Sequence, residues 1–303
     1  MILKSYFDNA SLSVDRISFS TFIIGNTSEK EFFKALTDIG FGKCEYDSRN
    51  RNNKRKYKRV RKYIVENSVI EFLYKRRNDA RFLPNIWCTF QDPTRPIINL
   101  LDSLCNSFGF VTKVSHIELT VDFDYCPKLH KFFQKYLFLK RNRGTSCFEG
   151  IGITKSYYSG HKAKNSKTTI VYQKFIDGAN RLRFELRLSR KVIKGLNLDL
   201  RLDGVNNIDL RQFFCFRKFN REKFIKYREG KHKAKLAEMS PLTKSLYLRL
   251  LRDVELAPYV MLLISHLKQK GYLHPQRFLE DMPKTNREFY KLVQGKQFLR
   301  EQT

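Results

Sequence analysis

Three short stretches of this sequence set acidic, basic and phenolic side chains at every second position. "HIELTVDFD" (116–124) carries His116, Glu118, Thr120, Asp122 and Asp124 in alternation with Ile117, Leu119, Val121 and Phe123. "RLRFELRL" (181–188) alternates Arg183, Glu185 and Arg187 with Leu182, Phe184, Leu186 and Leu188. "TTIVYQKF" (168–175) holds Tyr172 and Lys174 two residues apart. A period of two is the signature of a strand, so each stretch presents one polar face. If the three strands are neighbours, those faces join into an open concave surface of carboxylates, arginines, a lysine and a tyrosine. Carboxylates that meet phosphate repel it unless a cation lies between them. Clustered acids on a phosphate-binding surface therefore imply a divalent metal such as Mg²⁺ or Mn²⁺. A tyrosine beside such a metal is placed as a nucleophile. The plainer reading is an antiparallel sheet with one solvated side, which produces the same alternation.

The phosphate partner is argued from charge. The 303-residue chain has 59 Lys and Arg against 30 Asp and Glu, a net charge of +29 spread from end to end. A domain this basic most often meets nucleic acid, with an anionic membrane the weaker alternative. The run "RNRNNKRKYKRVRK" (49–62) holds nine Lys or Arg in fourteen residues with a tyrosine inside. Interleaved basic and aromatic residues suit phosphate contact and base stacking. Arg51, Lys54, Arg55, Lys56, Tyr57, Lys58, Arg59, Arg61 and Lys62 are thus expected to contact DNA, with Lys162 and Lys164 of "GHKAK" adding phosphate contacts. The alternative for the long run is a solvated hairpin tip. The six cysteines form neither a CxxC pair nor a zinc-spaced cluster, so they read as buried thiols in a reducing, cytoplasmic compartment. The start "MILKSYFDNASLSVD" lacks a secretory core, and the longest apolar run, "YVMLLI" (259–264), is too short to span a bilayer. No membrane partner is expected.

These faces need a scaffold. Residues 14–24 read as a strand, and Ser28 with Glu31 forms a capping box for a helix closed by Gly40. Strands follow at 57–65, 68–76 and 85–91, then a helix from Pro96 to Gly109. The order recurs with a strand at 114–124, a helix at 127–140 and strands at 151–158, 167–176 and 181–188. The expected fold is α+β: a curved antiparallel sheet from two ferredoxin-like (RRM-like) halves, about 1–110 and 111–229, with helices on one face. From about 205 onward, stretches such as "DLRQFFCFRKFNREKFIKYREG" have apolar residues at three- and four-residue spacing, which reads as helix. The expected division is 1–229 and a helical C-terminal region, 230–303.

The ordered set "SHIELT", "YYSGHKAKNSKTTIVYQKFID" and "LRFELRLSRKVIKGL" resembles replication initiators of rolling-circle elements. It is similar to the Rep_trans family of plasmids and to the gene II replication protein of filamentous phages, over roughly residues 110–200. The resemblance implies that 1–229 is a DNA-nicking domain. Tyr172 would be the nicking nucleophile, with Lys174 and Arg183 offsetting charge on the phenolate and transition state. Glu118, Glu185 and Asp177 would hold Mg²⁺ or Mn²⁺, with Asp122 in reserve, while His116 is open to two readings, a nitrogen ligand or simply a solvated imidazole. Tyr157 and Tyr158 are rival nucleophiles, and "DGAN" after Ile176 also reads as a hairpin turn. The implied partners are origin DNA, single-stranded or as a hairpin, and a host helicase and polymerase; a homodimer is allowed. Other readings are a non-catalytic DNA- or RNA-binding protein and a tyrosine recombinase. A recombinase has a metal-free Arg/His site in a helical domain, which suits strand-borne glutamates poorly.

Overall fold

The computed structural model describes residues 7, 9–23, 29–49, 57–76, 84–139, 146–149, 156–159, 167–176, 178–196, 208–220, 222–223, 226, 240–241 and 278–293. Their architecture is α+β, dominated by one large antiparallel sheet. Its strands are β1 (Ser11–Phe22), β2 (Tyr46–Arg49), β3 (Tyr57–Val65), β4 (Ser68–Arg76), β5 (Ile86–Gln91), β6 (Val111–Asp124), β8 (Ser146–Glu149), β9 (Ser156–Ser159), β10 (Lys167–Ile176) and β11 (Ala179–Ser189). They follow the order β2-β3-β4-β5-β1-β6-β11-β10-β9-β8. A second sheet sets β12 (Phe214–Phe219) between β7 (Leu137–Leu139) and β13 (Leu279–Asp281). The principal helices are α1 (Glu29–Leu36), α2 (Arg95–Ser107), α3 (Pro127–Tyr136), α4 (Arg190–Ile193) and α5 (Pro283–Val293).

The chain divides into two compact units. The first comprises Met1–Ser11, Val121–Glu185 and Asp209–Gln294; the second comprises Leu12–Thr120, Leu186–Ile208 and Gly295–Thr303. β1, β6 and β11 are continuous strands that contribute residues to both. In the second unit, β2, β3, β4 and β5 form an antiparallel meander, with β1 paired to β5. Phe32 and Phe33 of α1 pack against Phe72 and Tyr74 of β4, the Phe33 and Tyr74 ring centroids 4.7 Å apart. Pro at the first turn of α2 and Gly109 at φ 63° bound that helix as the sequence suggests.

In the first unit, Phe289 of α5 meets the rings of Phe7, Phe184, Phe214 and Phe216 at 5.3–5.5 Å. Each such pair adds about 0.5–1.5 kcal/mol beyond the area it buries. The C-terminal region expected from sequence therefore supplies at least one helix to this core. The boundary expected near 229–238 and the helices read between them and residue 277 lie almost wholly outside the described residues.

Two elements depart from the sequence reading. "FCFRKF" is strand β12, not helix; Phe214, Cys215 and Phe216 are buried in succession and pair with Leu139, Phe138 and Leu137. A short apolar run covered on both sides has no readable period. For the same reason α3 stops at Tyr136, where Leu137 turns extended to begin β7. Cys88, Cys105 and Cys215 are buried. Among the described residues no helix is long and apolar enough to cross a membrane.

Candidate active site

In the first unit, the Tyr172 hydroxyl donates to Glu185 Oε2 at 3.0 Å. The two residues sit on the paired arms of β10 and β11, which close between Ile176 and Ala179 with Gly178 at φ 76°. On β6 and β11, Arg183 binds Asp122 through two bonds, Nε to Oδ1 and Nη2 to Oδ2, both 2.7 Å. One pair further along, Arg181 binds Asp124. The residue numbers of the two pairs shift equally and oppositely, as an antiparallel register requires.

In the second unit, Glu118 Oε1 lies 2.9 Å from His116 Nε2, 3.3 Å from Arg187 Nε and 3.5 Å from Arg16 Nη1. Burial acts to raise the Glu118 carboxyl. The hydrogen bond from His116 and the charges of Arg187 and Arg16 outweigh it, so the group titrates below its ordinary 4.5. Its charged form is thus stabilised by folding. That stability is fully present above about pH 4.5 and is lost as pH falls through the depressed value. Urea midpoints should accordingly drop on acidification below that point, and the drop should be shallower in Glu118→Gln.

Asp15, Glu118 and Glu185 each bring one carboxylate oxygen to within 4.8 Å of the others. Glu118 is 2 % exposed and Glu185 1 %. Two unit charges at such a separation repel by roughly 3 kcal/mol at an effective dielectric constant of about 20. Buried acids that close demand compensating positive charge. Arg16 and Arg187 supply some of it. The group could hold a metal ion.

Asp15 reaches this group from β1, where Asp15 and Arg16 are half-buried between buried Val14 and Ile17. The doublet "DR" inside "VDRIS" was the available signal for Asp15, which a parity reading passes over.

The other expected residues fall as follows. Lys174 is half-buried on β10. Asp177, Arg51, Lys54, Arg55, Lys56, Lys162 and Lys164 lie outside the described residues. The rival Tyr157 and Tyr158 have their backbones on β9 opposite Val171 and Ile170; their side chains are outside the described set.

Three expectations are corrected. The polar face of β6 and β11 is not open: Glu118, Thr120, Asp122, Arg183 and Glu185 are all buried, which ion pairing makes tolerable. Arg183 faces Asp122 rather than phosphate, and Asp122 is correspondingly committed as its partner. Tyr57 is no stacking platform for DNA, because its ring is buried and its hydroxyl donates to the Pro84 carbonyl at 2.9 Å; burial pushes the phenol up to about 12. Arg59 and Arg61 both bind Asp47 at 2.8 Å, and Arg61 also lies over the Phe33 ring at 4.5 Å. Of the described part of that basic run, Lys58 is exposed and Lys62 half-exposed.

No family model and no curated protein matches this chain.

Proposed function

We propose that the protein is a rolling-circle replication initiator that nicks and rejoins one DNA strand through a 5′-phosphotyrosyl intermediate. The observation that carries this reading is the 3.0 Å hydrogen bond from Tyr172 to Glu185, a member of the three-carboxylate group. A phenol with a pKa near 10 needs its proton taken and its charge offset to attack at neutral pH. Glu185 Oε2 already accepts that hydrogen bond and orients the phenol oxygen. The oxygen attacks phosphorus, an O–P bond forms, and the bond from phosphorus to the 3′-oxygen breaks. The proton leaves through the Glu185 bond, and the 3′-oxygen is reprotonated from solvent to give a primer terminus. Reversal by that 3′-hydroxyl rejoins the strand. Lys174, on the strand of Tyr172, supplies positive charge for the phenolate. Arg183 works at one remove, bracing β6 against β11 through Asp122.

Asp15, Glu118 and Glu185 would hold a divalent ion, which when bound polarises a phosphoryl oxygen. The test is mass spectrometry after incubation with single-stranded origin-like DNA. With Mn²⁺ the protein should gain a nucleotide adduct on Tyr172; with EDTA it should gain none. An adduct that forms equally well in EDTA would remove the metal from the scheme. One observation favours a second reading, a non-catalytic DNA- or RNA-binding protein: Glu118 already has His116, Arg16 and Arg187 as partners. That reading requires no adduct under either condition.

A further inference from the structure

A cavity of about 530 Å³ lies within the second unit, on the polar side of β4, β5, β1 and β6 and reaching the start of α4. Its size is that of a small-molecule site rather than a packing defect. Trp87, the only tryptophan in the chain, lines it. Arg16 and Arg190 line it too, together with Glu71, Thr89 and Gln91. Arg16 Nε is buried and donates to no acceptor among the described residues, although its Nη1 lies near Glu118. An indole, two guanidinium groups and several hydrogen-bonding side chains around one hollow match a single chemistry: a flat base attached to an anion.

The geometry points to this cavity as the seat of one unpaired nucleotide of single-stranded DNA. The base stacks on Trp87, and Thr89 and Gln91 meet its polar edge. Glu71 accepts from an exocyclic amino group and repels phosphate, so the phosphate turns toward Arg16 and Arg190. His116 also lines the cavity, 2.9 Å from Glu118, so the seated nucleotide adjoins that carboxylate. Duplex DNA, whose bases are already stacked, does not enter. This assignment rests on the nicking reading for its substrate, and its test does not depend on cleavage.

The 303-residue protein in EDTA is titrated with a short single-stranded deoxyoligonucleotide while the emission of Trp87 is read. Stacking should quench it, and the matching duplex should bind without quenching. Trp87→Ala should weaken anisotropy-measured binding of the labelled oligonucleotide roughly ten-fold, whereas Trp87→Phe should keep most of the affinity. Arg190 is exposed, so Arg190→Ala should fold normally and lower the salt slope of binding by about one. Should Trp87→Ala fail to fold, the wild-type quench and the other two variants still decide. Unchanged emission at saturation, or a folded Trp87→Ala with wild-type affinity, overturns the nucleotide seat and leaves nicking untouched. Quenching by a protein that forms no adduct with Mn²⁺ supports the seat and overturns the nicking reading alone.

Discussion

Tyr172→Phe should leave a folded, DNA-binding protein that no longer cuts. The substitution removes one hydroxyl and keeps the ring, so the bond to Glu185 is lost, a change of about 1 kcal/mol in stability. Removing the nucleophile should lower cleavage of a supercoiled origin plasmid by 10⁴-fold or more, in the approximate range seen when covalent nucleophiles are deleted. Affinity measured by anisotropy should be nearly unchanged, which separates a lost nucleophile from lost folding. If Tyr172→Phe still cuts at a comparable rate, the nucleophile is elsewhere, with Tyr157 and Tyr158 next in line. Glu185→Gln should sit between wild type and Tyr172→Phe, because the phenol keeps an acceptor and loses a negative one.

The second large effect concerns Arg183 and Asp122. Their side chains are only 5 % and 9 % exposed and are joined by two 2.7 Å bonds. Arg183→Met strands a buried carboxylate and should cost about 3–5 kcal/mol in urea denaturation. Adding Asp122→Leu removes the stranded charge and should recover most of that loss. The same pair of variants tests what Arg183 does. If it only braces the two strands, the stabilised double variant should still cleave. Loss of cleavage from a stable double variant would return Arg183 to direct contact with phosphate.

Much of this was visible in the sequence because strands announce themselves by period two. β3, β4, β6, β10 and β11 fall close to where alternation puts them, and α1 and α2 where their caps do. β12 was not legible: Phe214 and Phe216 match a helix as well as a strand, and the partners Leu139 and Leu137 that decide it lie some 75 residues away. The pairing of Tyr172 with Glu185 follows from adjacent alternating strands. Parity says which face a residue is on, but not which partner stands opposite, so Arg183 read as a free cation when its register delivers it to Asp122. Tyr57 misled through its neighbours. A lysine- and arginine-rich run suggests solvent on every side, yet its ring begins a strand over the Pro84 carbonyl.

Ile117, Leu119, Val121 and Phe123 alternate along β6 with buried Glu118, Thr120 and Asp122, so both surfaces of this strand are committed. Deleting one residue there would make every side chain on one side of the cut swap surfaces. Apolar groups would land among the partners of the carboxylates, and the carboxylates in the apolar core. Homologous chains should therefore keep the same number of residues between Ile117 and Phe123.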